Sequence, residues 1–111
     1  MSLKNYTYTG TVASGENPIT KEPITPPSWQ GKVQATQYTG GSTTQLAKDL
    51  DATIKPSPIK DAPAGAIVVE KPLGEAIQRY QALKGQWIVL ASDGAIIVWA
   101  DDFFGNNYKA A

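Results

Sequence analysis

Two residue types are missing from this chain: it contains no cysteine and no histidine. Without cysteine there is no disulfide framework, no thiolate metal site and no cysteine nucleophile. Without histidine the chain lacks the commonest general base and the commonest metal ligand. No Gly-x-Ser-x-Gly elbow and no P-loop lysine occur either. The sequence therefore predicts a protein that binds rather than catalyses, with no metal and no cofactor.

Excess charge and long apolar runs are also missing. Ten basic residues balance ten acidic ones, whereas a DNA or RNA binder needs a basic excess on one face. The only arginine is Arg79, so several arginines can surround one phosphate only if subunits associate. No stretch approaches the roughly 20 apolar residues that span a bilayer, and the first residues lack a signal-peptide core. We expect a cytoplasmic protein that binds neither nucleic acid nor membrane.

The 111 residues amount to one domain of ordinary size, with an N-terminal arm. Residues 1–30 are rich in Thr, Gly and Pro, which predicts an extended arm after a short strand around Asn5–Thr9. The alternative is a linker or disordered tail, against which Ile19, Ile24 and Trp29 count as spaced apolar anchors. Residues 31–111 are predicted to form a small, mainly β domain.

Within residues 31–111, two patterns are clear. Alternation over Lys32–Tyr38 predicts a strand, and the spacing of Leu46, Ala47 and Leu50 predicts a helix over Thr44–Leu50. Gln86–Ala91 and Ala95–Trp99 are apolar runs joined by Ser92-Asp93-Gly94, which predicts a hairpin, central and buried on both faces.

The remaining segments are less clear from pattern. Ala66–Val69 is a short apolar strand, and Leu73–Leu83 fits either a helix or the return strand of a second hairpin. Asp102–Tyr108 predicts a last turn that covers the core with aromatic rings. The adjacent pair Asp101-Asp102 is interpreted as a solvated strand end or a helix cap.

Two sequence features are candidates for ligand contact. Tyr38-Thr39-Gly40 opens a glycine-rich loop that enters a helix, either a plain strand-to-helix turn or a phosphate or ribose contact. Arg79 beside Tyr80 can stack on or fork to a nucleotide. Trp29, Trp87 and Trp99 are interpreted first as core or interface anchors. The complete set of candidate ligand-binding residues is Tyr38, Thr39, Gly40, Arg79, Tyr80, Trp99 and Phe104.

The sequence from Val33 to Tyr108 resembles a set of small phage and prophage proteins. The shared pattern is Val-x-Ala-x-Gln-Tyr-Thr-Gly at Val33–Gly40, Gly-x-Trp-Ile-Val at Gly85–Val89 and Asp-x-Phe-x-x-x-Tyr at Asp102–Tyr108. Lys84 and Gln86 stand where the pattern has Pro and Asp. The resemblance implies strands rather than a helix around residues 75–80, and hence a small twisted antiparallel sheet or barrel with one short helix.

The order and spacing of elements are also similar, more loosely, to phage proteins that block Thoeris immunity. That resemblance implies sequestration of a cyclic ADP-ribose-type signal between subunits without cleavage. We therefore expect a homo-oligomeric anti-defence protein that holds a small nucleotide-type ligand in the host-cell cytosol. The alternatives are a virion decoration or assembly protein that uses its N-terminal arm, and an inhibitor of a host protein.

Overall fold

A computed structural model describes residues 2–9 and 31–111. The predicted arm beyond residue 9 and the anchors Ile19, Ile24 and Trp29 lie outside the described residues. The elements in chain order are β1 Lys4–Tyr8, β2 Lys32–Gln37, α1 Thr44–Leu50, β3 Thr53–Pro56, β4 Ile67–Leu73, β5 Ala76–Ala82, β6 Trp87–Leu90, β7 Ile96–Trp99, α2 Asp101–Asn107 and β8 Tyr108–Ala110.

The strands form two antiparallel sheets. The larger has five strands in the order β7-β6-β2-β1-β8, and the smaller has three in the order β3-β4-β5. Among the described strands, β7 ends the larger sheet and β5 ends the smaller one. These two strands lie against each other, and the Ile96 N–H donates to Gln78 Oε1 between them (2.9 Å). The mainly β prediction is confirmed.

The five-stranded sheet is buried on both faces because apolar residues occupy both alternating positions of β6. Ile88 and Val89 are each 0% exposed and belong to two different apolar clusters. Successive strand residues point to opposite sides, so the clusters lie on opposite faces. Burying each side chain stabilises the fold by about 1.5–3 kcal/mol.

One cluster, the α2-side cluster, lies between the sheet and α2. Phe104 of α2 stacks on Trp87 (centroids 4.1 Å apart) and on Tyr108 (4.8 Å), and meets Tyr6 edge to face (5.0 Å). The sequence predicted only a short turn at Asp102–Tyr108. Instead residues 101–107 form a second helix, and its aromatic residues cover the core as expected.

The other cluster, the α1-side cluster, joins the large sheet to α1 and to the small sheet. Its buried residues are Tyr38, Leu46, Leu50, Ile67, Val69, Ala82, Ile88 and Ile96. Helix α1 has the predicted bounds Thr44–Leu50. Neither helix in the described part of the chain is long and apolar enough to cross a membrane.

The strand pairing confirms the predicted β6–β7 hairpin and decides the open choice at residues 73–83 in favour of a second hairpin. β6 pairs with β7, with Leu90 opposite Ile96, and Gly94 at φ +89° occupies the last position of a three-residue loop. β4 pairs with β5 around Gly74 at φ +61°, so the ambiguous segment contains the end of β4, a turn and the return strand β5, Ala76–Ala82, and no helix. The prediction that the β6–β7 hairpin is central is wrong for β7, which ends the five-strand order.

The first described residues of the predicted arm belong to the domain itself. β1 lies between β2 and β8 and pairs with both, with Tyr6 opposite Val33 on one side and opposite Ala110 on the other. The strand expected around Asn5–Thr9 is therefore present. It completes the five-stranded sheet.

Candidate functional site

An open, polar pocket lies where β1, β2 and β6 run side by side. Lys4 pairs with Ala35, and Gln37 pairs with Trp87. Paired residues in adjacent strands share a face, so these side chains line one side of the sheet. The pocket measures about 370 Å³ and is lined by Ser2, Lys4, Tyr6, Ala35, Thr36, Gln37, Thr39 and Trp87.

Two aromatic rings form the apolar wall of this pocket. Trp87 and Tyr6 meet edge to face with centroids 5.6 Å apart. Both side chains are half-buried, so part of each ring surface stays available to a ligand. Trp87 is also stacked on Phe104 (centroids 4.1 Å apart), which fixes the ring in place.

A carboxylate at the start of α2 connects the polar and aromatic walls. Asp101 Oδ1 accepts hydrogen bonds from Trp87 Nε1 (2.8 Å) and from Gln37 Nε2 (3.2 Å). Gln37 Nε2 also donates to the Gly85 carbonyl (2.9 Å). Neither side chain can rotate without breaking one of these bonds.

Lys4 supplies the positive charge of the pocket. Its side chain is exposed, and the two ion pairs found between described residues both involve Glu70, on the small sheet. Within the described part of the chain the Lys4 ammonium is therefore not engaged by a carboxylate. It can meet an anionic group of a ligand.

The predicted loop Tyr38-Thr39-Gly40 contributes only Thr39 to this pocket. Tyr38 is 2% exposed, and its hydroxyl donates to the Gly65 carbonyl. Gly40 packs against Lys84, whose Cε would lie 2.5 Å from a Cβ at position 40. In this loop Tyr38 is part of the buried core and Gly40 contacts Lys84, so both have structural roles. Thr39 lines the pocket.

Arg79 and Tyr80 do not form the joint contact surface that the sequence predicted. They are consecutive residues of β5 and therefore point to opposite faces. Arg79 is exposed and its Nε donates to Glu70 Oε1 (3.1 Å), whereas Tyr80 packs against the α1-side cluster. Arg79 lines a separate pocket of about 330 Å³ with Lys55, Pro56, Pro58, Val68 and Glu70.

Trp99 and Phe104 both lie in the α2-side cluster. Phe104 is 2% exposed, which leaves almost no surface for a ligand. Trp99 is half-buried and stacks on Phe103 (4.3 Å). Burial raises the pKa of the neighbouring Tyr108 hydroxyl, an effect partly offset by the Trp99 indole.

Of the eight residues that line the pocket, the sequence indicates only Thr39 as a ligand contact. The seven others, among them Lys4, Tyr6, Gln37 and Trp87, carry no such signal, because Lys4 and Tyr6 belong to the predicted arm and Trp87 fits an anchor. The segment Gln37–Gly40 could have indicated Gln37 as a pocket residue. Gln37 and Thr39 lie on either side of the buried Tyr38, and alternate residues of an extended chain share a face.

No group of three or more acidic side chains in the described residues is arranged to hold a metal ion. Comparison of the chain with known proteins gives no match to a family model, to a curated protein or to a solved structure.

Proposed function

We propose that this chain is a non-catalytic, phage-type anti-defence protein that sequesters a small cyclic nucleotide or ADP-ribose-derived signal. The observation that carries the proposal is the pocket between β1, β2 and β6. It combines fixed aromatic rings with an ammonium group that has no carboxylate partner among the described residues.

The chemistry of the pocket matches the two parts of a nucleotide. The exposed parts of Tyr6 and Trp87 offer an apolar surface to a base, and Lys4 offers a charge to a phosphate. Ser2 and Thr39 add hydroxyl groups at the rim. A volume of about 370 Å³ lies at the small end of the range for ligand pockets, roughly 300–1,000 Å³.

The proposal includes a homo-oligomer that closes over the ligand. Exposed apolar side chains at the tip of the β4–β5 hairpin support subunit contact, with Ile77 63% and Leu73 38% exposed. Sequestration then depends on slow dissociation of the ligand, because a protein that only holds its ligand carries out no chemical step.

Titration calorimetry with ADP-ribose and cyclic ADP-ribose tests the pocket. Lys4→Gln removes the positive charge, and we expect it to weaken binding by about five- to tenfold, the worth of one charge-assisted contact at an exposed site. The loss should shrink as salt is added.

Lys109→Gln is the matched control, since Lys109 is an exposed lysine on β8 of the same sheet and lies outside the pocket. It should bind as the wild type does. Equal affinity of the Lys4→Gln and Lys109→Gln variants would place the ligand elsewhere on the molecule.

A further inference from the structure

The side-chain amide of Gln37 has only one orientation that satisfies its surroundings. An amide NH₂ group carries two hydrogens, and here one is donated to the Gly85 carbonyl and the other to Asp101 Oδ1. If the amide were flipped, its oxygen would face two acceptors and no donor. The network therefore assigns nitrogen and oxygen without ambiguity.

In this orientation Gln37 Oε1 has no hydrogen-bond partner among the described residues. Gln37 lines the pocket beside Trp87. An amide oxygen accepts hydrogen bonds and cannot donate them. A ligand that places a donor here gains a bond, whereas one that places an acceptor here meets repulsion.

Asp101 controls this arrangement although it does not line the pocket. The same oxygen, Oδ1, accepts from both Gln37 Nε2 and Trp87 Nε1. One carboxylate thus sets the rotation of the amide and the position of the aromatic ring. Moving it would free both groups at once.

We propose that Gln37 is the specificity-determining acceptor of the pocket and that Asp101 is its positioning residue. Together they select planar, anionic ligands that carry an N–H donor on the ring edge, such as an exocyclic amine. The inference rests on the proposed function, because it assumes that the ligand occupies this pocket.

Two probes that differ only in the donor test the idea. Adenosine 5′-monophosphate carries an exocyclic amine, and purine riboside 5′-monophosphate lacks it but keeps ring, ribose and phosphate. We expect the wild-type protein to bind the first about fivefold more tightly, the worth of one neutral hydrogen bond. This comparison requires no variant, so folding defects cannot obscure it.

Variants then assign the preference to the two residues. Gln37→Met should reduce the binding of adenosine 5′-monophosphate to the level of the purine riboside probe and leave the latter unchanged. Asp101→Ala should lose most of the preference, and Asp101→Asn should keep it, because an asparagine oxygen can still accept both bonds. Asp61→Ala, an equal change of charge at an exposed site outside the pocket, should change nothing.

The outcomes separate this inference from the proposed function. Equal binding of both probes by the wild type, unchanged in Gln37→Met, overturns the inference and leaves the function standing. Binding of neither probe by a protein that does bind ADP-ribose or cyclic ADP-ribose overturns the inference alone, and binding of none of these four ligands overturns both. Loss of overall affinity in Asp101→Ala with the preference intact would reduce Asp101 to a purely structural role.

Discussion

At the scale of single residues, two glycines pack against the side chain of one lysine. Gly40 and Gly65 have φ of +87° and +83°, and the aliphatic chain of Lys84 lies against both. A Cβ at either position would lie 2.5 Å from Lys84 Cε. Lys84 has a flexible side chain that can move aside, so the positive φ is the larger cost of a substitution.

Gly40→Ala should therefore lower the free energy of unfolding by about 1–2 kcal/mol. Gly105→Ala is the contrasting variant: it lies within α2, without positive φ and with nothing near its Cβ position. It should raise stability by about 0.5–1 kcal/mol. Urea unfolding measures both. If Lys84→Ala restored the stability of Gly40→Ala, the clash and not the backbone would be the cause.

Tyr108 gives the fold a dependence on alkaline pH. Burial raises the pKa of its hydroxyl above the ordinary value of 10.0, so the unfolded chain ionises first as pH rises. The contribution of this residue to the free energy of unfolding is fully present below about pH 10 and is lost as pH rises through the pKa that the hydroxyl has in the folded state.

We expect the free energy of unfolding to fall more steeply above about pH 10 in the wild type than in Tyr108→Phe. The two proteins differ only at position 108, so the difference between their curves reports on that residue. Urea unfolding from about pH 8 to about pH 11 measures the difference. Parallel curves would show that Tyr108 titrates alike in the folded and unfolded chain.

At the scale of elements, α1 ends on a residue that does not suit its position. Asp51 has φ +53° and ψ +49°, a left-handed conformation that glycine adopts at lower cost. Its negative charge also lies at the helix C-terminus, where the dipole disfavours anions.

Asp51→Gly should accordingly stabilise the protein by about 0.5–1 kcal/mol. The contrasting variant is Asp49→Gly, at an exposed position in the last turn of the same helix, where Asp49 Oδ1 accepts a hydrogen bond from Gln45 Nε2 (2.9 Å). It should destabilise by about 1 kcal/mol. Thermal unfolding monitored by circular dichroism compares the two. A destabilised Asp51→Gly protein would mean that the carboxylate makes a favourable contact at this helix end.

The sequence pattern predicted the elements that are determined by residues close together in the chain. The spacing of Leu46 and Leu50 gave α1 its bounds, and Asp93-Gly94 gave the β6–β7 hairpin. Residues 73–83 remained ambiguous because their apolar residues suit either period, and the pairing of β5 with β4 decides in favour of a strand. Helix α2 was expected only as a turn, since its two phenylalanines are held mainly by the sheet beneath them.

At the scale of the whole molecule, the pocket arises from strand order. β1 and β6 flank β2, so Lys4, Gln37 and Trp87 meet although most of the chain separates the first from the last. Pattern predicts strands but does not give their order in a sheet. For this reason the sequence indicated Thr39 but neither Lys4 nor Trp87, and it grouped Arg79 with Tyr80 across opposite faces of β5.

Strand order also explains why the two faces of the large sheet have different roles. One face packs on the small sheet and α1, and the other on α2. The pocket lies on the α2 side, beside the Asp101 end of that helix. The sheet is therefore a rigid support, and the proposed recognition site lies on its α2 side, over the central strand β2.

Native mass spectrometry tests whether the protein sequesters a nucleotide signal, on protein purified from bacterial cells in which a nucleotide-signalling defence system is active. We expect an oligomer that carries an added mass of nucleotide size, and we expect denaturation to release that ligand intact. The bound fraction should fall in Lys4→Gln but not in Lys109→Gln. Protein that carries no added mass under these conditions, although the signal is present in the same cells, would contradict the proposed sequestration.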